Sequence, residues 1–376
     1  MEQPKNLGRF YRNAMLFTVL MLCCIGLLLI YTSSSIPAEI NFHDSLFFVR
    51  RQASFALVGF AAIAVLQWLP LRLIEKFTLP LLFLSILLLA MTFIPGLQHK
   101  ANGAARWLKI FGVSFQPTEI GKLALILFLA KNLSRPSVRL DKNPQTIIPN
   151  LFVLGVFASF LMLQPDFGST MVYASISILM LYVAGLPYRY ILGALTVGVV
   201  AVIAAIIHAP YRLARITSFL NPWETIQTGG FQIVQSYLGF HNGGIWGLGL
   251  GESRQKLFFL PEAHTDFILS VIGEETGLIG VFLVVSCFAY LAWLGSKITA
   301  LQTESYRKFL AMGLSSLISI QAIVNMGVAM GLLPTKGMSL PFVSFGSSSL
   351  LSFLLMVGIL AKLAISAEPN HAKGPS

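Results

Sequence analysis

Charge is what this sequence lacks. Asp, Glu, Lys and Arg make up only 11% of its 376 residues, against about 25% in an ordinary soluble domain. A soluble fold of this length could not cover its surface with so few. Cysteine is scarce as well. Cys23, Cys24 and Cys287 all sit in apolar stretches without a CxxC pair, which points away from a disulfide framework and from a thiolate-held metal. Nor is there a long polar segment able to form a separate soluble domain.

What is present is apolar sequence, 56% of the chain, gathered in runs such as 14–31 and 190–207. About 18 or more such residues span the hydrocarbon of a bilayer, because a helix satisfies its own backbone polar groups there. The pattern predicts an all-α, polytopic integral membrane protein with about ten transmembrane helices. The spans run near 14–31, 53–68, 77–94, 118–133, 148–163, 169–186, 190–208, 268–294, 309–331 and 347–365. Lys5, Arg9 and Arg12 precede the first, as in a signal peptide. Its apolar stretch exceeds a signal core of roughly 7–15 residues, and Ser33-Ser34-Ser35 is a poor cleavage site, so it reads as a retained anchor. The linkers are short except for 209–267, one long extracytoplasmic loop rich in Gly and aromatics. A loop of that length between helices is functional or disordered, and its aromatics argue against disorder.

With the N-terminus inside, cytoplasmic segments hold 15 of the 26 basic residues, among them Lys131, Arg135, Arg139 and Lys142; outer loops hold 10. This favours cytoplasmic N- and C-termini. The outer face is still unusually basic, with Arg106, Lys109, Arg212, Arg215, Arg254, Lys256 and Lys336 against seven acids. Such a surface suits anionic headgroups or an anionic substrate presented from the outer leaflet.

Four stretches could carry chemistry. In Gln116-Pro-Thr-Glu119-Ile-Gly-Lys122, Glu119 and Lys122 share a helix face at membrane depth, either as a functional pair or as a mutual brace. Arg106 and Trp107 just before it are a second candidate, or an interfacial anchor. Asp166, in Gln164-Pro-Asp-Phe-Gly-Ser, either caps the next helix or faces a cavity shared with Lys122. In Leu260-Pro-Glu262-Ala-His264-Thr-Asp266-Phe, an extended chain would place Glu262, His264 and Asp266 on one face. Glu274 and Glu275 follow, as pairing or capping groups. The last stretch holds Lys336 between Gly331 and Gly337, ahead of three serines at 347–349. The glycines from Gly243 to Gly251 do not form a nucleotide loop, because no strand precedes them and no Lys-Ser/Thr follows. They read instead as a place where backbone approaches a headgroup or sugar.

Taken together, these motifs closely resemble the SEDS family (shape, elongation, division and sporulation), in its FtsW-like division branch. The resemblance rests on the Ala105-Arg106-Trp107 turn, Gln116-Pro-Thr-Glu with Lys122, QPDFGS, QSYLGFHNGGIWGLGLGES, LPEAHTDFI with GEETG, and GLLPTKGMSLPFVSFGSSS. It covers nearly the whole chain, so that 1–376 reads as one SEDS-type transmembrane domain. Thr335-Lys336-Gly337 resembles the division-branch form of the last loop more than the rod-elongation form. Two departures are Phe258, where relatives often carry Glu, leaving Glu252 or Glu262 to supply that contact, and Phe345-Gly346-Ser347 in place of Tyr-Gly-Gly.

The resemblance implies a peptidoglycan glycosyltransferase that polymerises lipid II, an undecaprenyl-pyrophosphate-linked precursor, on the outer face of the bacterial inner membrane, at the division septum. It implies a class B penicillin-binding protein as transpeptidase partner, alongside other divisome membrane proteins, and no nucleic acid. The family's essential carboxylate maps to Asp266, and its polar cavity residues map to Trp107, Glu119, Lys122, Asp166 and Lys336; Arg106 joins them as a cation. No covalently bound cofactor and no closed metal site are expected, although a divalent cation, Mg or Mn, fits between pyrophosphate oxygens. Asp266 would serve as general base on the acceptor hydroxyl, with inversion at the donor. Lys122, Lys336 and one or more of Arg106, Arg212 and Arg215 would neutralise the departing pyrophosphate. The competing classes are a flippase for the same precursor and a non-catalytic scaffold.

Overall fold

A computed structural model describes residues 6–101, 104–110, 113–138, 140, 142–207, 210–227, 229–253, 264–335 and 337–366. Each predicted span coincides with a helix. In chain order these are α1 (Leu7–Phe42), α2 (Phe47–Trp68), the short α3 (Leu71–Lys76), α4 (Thr78–Met91), α5 (Pro117–Leu133), α6 (Ile148–Leu163), α7 (Phe167–Val183) and α8 (Tyr188–Ile207). After α9 (Pro210–Leu220) and α10 (Phe231–Gly243) come α11 (Ile268–Leu301), α12 (Ser305–Ala329) and α13 (Ser347–Ser366). Six are long and apolar enough to cross a bilayer by length and composition, and α4, α7 and the first part of α8 are shorter apolar helices. The protein is therefore a polytopic helical membrane protein. Its core is the cluster of buried aliphatic side chains shared by α1, α5, α7, α11, α12 and α13.

Two features lie beyond the sequence reading. A small antiparallel sheet, β1 (Gln98–Ala101), β2 (Ala104–Ile110) and β3 (Val113–Phe115), stands between α4 and α5. Its strands are too short to show a period. The long loop also contains two helices of its own, α9 and α10, and α10 packs along α11.

The glycines of that loop have a structural use that the sequence did not show. Helix α11 is broken at Gly277, whose backbone is left-handed in φ at 68°. A break inside a membrane helix strands carbonyls on one side and N–H groups on the other, at several kcal/mol each if unmet. The loop after α10 meets them: Leu248 N donates to Glu274 O (2.9 Å) and Gly249 N to Glu275 O (3.0 Å). Leu278 N in turn donates to Gly244 O (2.9 Å). This approach leaves no room for a side chain. A Cβ on Gly247 would lie 2.2 Å from Glu275 O, and one on Gly277 would lie 2.3 Å from Ile245 O. Gly243, Gly247 and Gly277 therefore serve backbone pairing at the broken helix.

Candidate functional site

The site is built where α5, α12, α13 and the turn before α11 meet. Pro117 opens α5, where its missing N–H is no loss, and so places Glu119 and Lys122 in the first turns. Both are buried, 5% and 2% exposed, and Lys122 Nζ contacts Glu119 Oε1 at 2.7 Å. An ammonium this deep needs more than one partner. Lys122 also donates to Gln321 Oε1 on α12 (2.7 Å) and lies 5.8 Å from the centre of the Phe353 ring on α13. The Glu119 carbonyl accepts from Ser352 Oγ (2.8 Å), and Tyr173 on α7 donates to Thr118 O (2.8 Å).

Asp266 stands in a turn, half-buried, directly ahead of α11. Its carbonyl accepts from Asn325 Nδ2 at 3.0 Å. Gly337 comes so near that a Cβ there would sit 3.5 Å from Asp266 Oδ2. His264 lies among aromatic rings, with centroids 4.8 Å from Phe48 and 5.7 Å from Phe345, and its carbonyl accepts from Phe345 N (2.9 Å). Because 264–267 form a turn rather than a strand, the alternation that would align His264 with Asp266 does not apply. Glu262 lies outside the described residues.

A second corner holds Arg106 and Asp166. Asp166 caps α7, accepting from Ser169 N (3.1 Å) and Ser169 Oγ (2.7 Å), so the capping alternative describes its contacts. Arg106 on β2 donates to the carbonyls of Gln164 (3.2 Å) and Pro165 (2.5 Å) at the C-terminal end of α6. There a cation meets the negative end of the helix dipole. Trp107 is half-buried in β2, opposite His99. Glu274 and Glu275 are buried in α11; Glu274 accepts from Ser253 Oγ and Glu275 from Thr32 Oγ1 (3.1 Å). Arg215 is exposed and reaches Thr335 O at 3.5 Å. Lys336, Arg254, Lys256, Phe258, Arg139 and the side chain of Arg212 lie outside the described residues.

The sequence reading missed Gln321 and Asn325. They are two amides four residues apart in an apolar span, a pattern that marks a polar seam inside a membrane bundle. Two of the serines at 347–349 are engaged within the protein: Ser348 Oγ accepts from Gln116 N (3.1 Å) and Ser349 Oγ from Ser339 Oγ (2.9 Å).

The FtsW/RodA/SpoVE family model, described as cell cycle protein, matches residues 13–368. The chain belongs to that family. Among its FtsW/RodA/SpoVE relatives, the probable peptidoglycan glycosyltransferase FtsW of Geobacter metallireducens is 42% identical over 94% of each chain. Stage V sporulation protein E of Bacillus subtilis is 39% identical, over 92% of this chain and 94% of that one. Among solved structures, a chain of a peptidoglycan synthase complex that coordinates polymerization and crosslinking is 27% identical, with a TM-score of 0.77. The alignment covers 95% of this chain and 98% of that one. The rod shape determining protein RodA of Thermus thermophilus is 25% identical with a TM-score of 0.67, over 94% and 96%.

Proposed function

We propose that this chain is a peptidoglycan glycosyltransferase that polymerises lipid II at the outer face of the bacterial cytoplasmic membrane, for septal wall synthesis in cell division. The name shared by its FtsW relatives supports the activity and the division role. The carrying observation in the structure is the join through one face of α12: Gln321 holds Lys122, and Asn325 holds the turn of Asp266. In this reading 1–376 is one transmembrane unit, with both termini cytoplasmic as the basic residues favour. Its partners are a class B penicillin-binding protein, in line with the synthase complex it resembles, and other divisome membrane proteins.

In the reaction, the 4-hydroxyl of an acceptor GlcNAc attacks the anomeric carbon of a lipid-pyrophosphate-linked MurNAc. The new C1–O bond forms as the C1–O bond to phosphate breaks, with inversion, and the pyrophosphate leaves with the electron pair. Asp266 takes the hydroxyl proton. General-base help contributes roughly 10²–10⁴-fold, so stabilising the leaving charge is as important. That task falls to Lys122 and Lys336, aided by the outer arginines. A divalent ion, Mg or Mn, suits the same position. Among the described residues no group of three or more acids, histidines or cysteines could hold a metal ion. Such an ion would be held chiefly by the substrate's phosphate oxygens and by water, with at most one or two carboxylates from the protein, and would add positive charge beside the pyrophosphate.

The test is Asp266→Ala in purified complex with its transpeptidase partner, given pre-made lipid II. Glycan product should disappear while membrane insertion and partner binding persist. Polymerisation at the wild-type rate in that variant would end the assignment.

A further inference from the structure

Gln321 and Asn325 lie on one face of α12, four residues and therefore about 6 Å of helix rise apart. Each is 1% exposed, and each divides its amide between a candidate residue (the Lys122 ammonium or the Asp266 main chain) and the segment after Lys336. Gln321 accepts from Lys122 Nζ (2.7 Å) and donates to Ser339 O (3.2 Å). Asn325 donates to Asp266 O (3.0 Å) and to Met338 O (2.5 Å). The orientations are fixed by chemistry. Lys122 can only donate, and a flipped Asn325 would set its oxygen against two carbonyls.

We infer that Gln321 and Asn325 are positioning residues that hold the Lys122 ammonium and the Asp266 turn one helical turn apart, and lock the 337–340 segment to both. This rests on the glycosyltransferase reading above. The two amides have separable effects. The pyrophosphate is anionic in the ground state and gains a further charge as it leaves, so a contact from Lys122 registers in KM and in kcat. The base acts only as the hydroxyl attacks, so the placement of Asp266 registers in kcat, where a shift of about 1 Å can cost roughly 10²-fold.

The experiment measures kcat and KM for lipid II in the purified full-length complex with its partner. Variants are Gln321→Ala and Asn325→Ala, together with Gln321→Glu and Asn325→Asp, which keep side-chain shape but remove the amide donor. Expected for Asn325→Ala is a kcat about 10- to 100-fold lower with KM within about twofold. Asn325→Asp should match it, and decides the question if the alanine variant fails to assemble. Gln321→Ala should raise KM about tenfold and lower kcat about tenfold as well, where the Asn325 variants move kcat alone. Gln321→Glu should also raise KM, because it draws Lys122 toward a second carboxylate. Wild-type constants in the Asn325 variants overturn the inference. So does an equal loss in kcat and KM at both positions that tracks a lower melting temperature. Asp266→Ala, run alongside, separates the two levels. If it stays active, the glycosyltransferase assignment of Asp266 fails; if it is inactive while the amide variants behave as wild type, only the positioning inference fails.

Discussion

Helices α8 and α13 have the same length, 20 residues, and both are strongly apolar. Helix α13 is enclosed by α1, α2, α5, α11 and α12, with most of its residues buried. Helix α8 packs on α7 and α9, and its described side chains are half-buried or exposed, among them Leu192, Val197, Val200 and Ile203. Both contain small residues. A Cβ on Gly358 of α13 would meet Leu66 Cδ1 at 2.8 Å, while Cβ atoms on Gly193 and Gly198 of α8 would meet nothing within 4 Å. Close packing of helices in lipid needs small residues, yet small residues do not by themselves make an interface. What separates the two helices is polar stitching. Ser348, Ser349 and Ser352 bond to the α5 region and to the loop ahead of α13, and Gln67 and Gln302 donate to the carbonyls of Gly358 and Leu363.

The sharpest way to probe the enclosed region is Lys122→Met, which leaves Glu119 buried without its cation. A loss of roughly 3–5 kcal/mol is expected, read as a lower melting temperature in detergent, together with loss of polymerisation. Adding Glu119→Gln should restore stability without restoring activity. If activity returned as well, the pair would be a brace and nothing more. Next in size is Gly358→Leu, where overpacking against Leu66 and Ile63 should cost about 1–3 kcal/mol. An unchanged melting temperature there would show that α2 and α13 can separate freely. Gln67→Leu removes one interhelical hydrogen bond and should cost roughly 0.5–1.5 kcal/mol, measured the same way. Smallest is Gly198→Leu on α8, expected within about 0.5 kcal/mol of wild type. A loss as large as that of Gly358→Leu would contradict the outlying position of α8.

Much of the fold was legible because spanning is a local property. Each apolar run carries its own transfer free energy, and Pro165 and Pro187 divide adjacent runs. The sheet at 98–115 was not legible, since strands this short between helices carry no usable period. The pairing of the Gly243–Gly251 stretch with α11 was not legible, because its partner, the break at Gly277, lies about one loop further on. In the site, Glu119 and Lys122 were found from their cost at depth, and Asp166 from its place before a helix. Gln321 and Asn325 were overlooked because neutral amides carry no charge to draw attention.

The sequence by itself determined that this chain belongs in a bilayer, roughly where each helix lies, and which ionisable residues sit where water is scarce. Hydropathy and helix spacing act over a few turns, and such information is additive along the chain. Only the tertiary structure decided which of those groups meet. Lys122 finds Gln321 across 199 residues and Asp266 finds Asn325 across 59. Those contacts exist because buried polar groups must be satisfied by whatever helix packs beside them, and the neighbours of a helix are set by the packing of all the others.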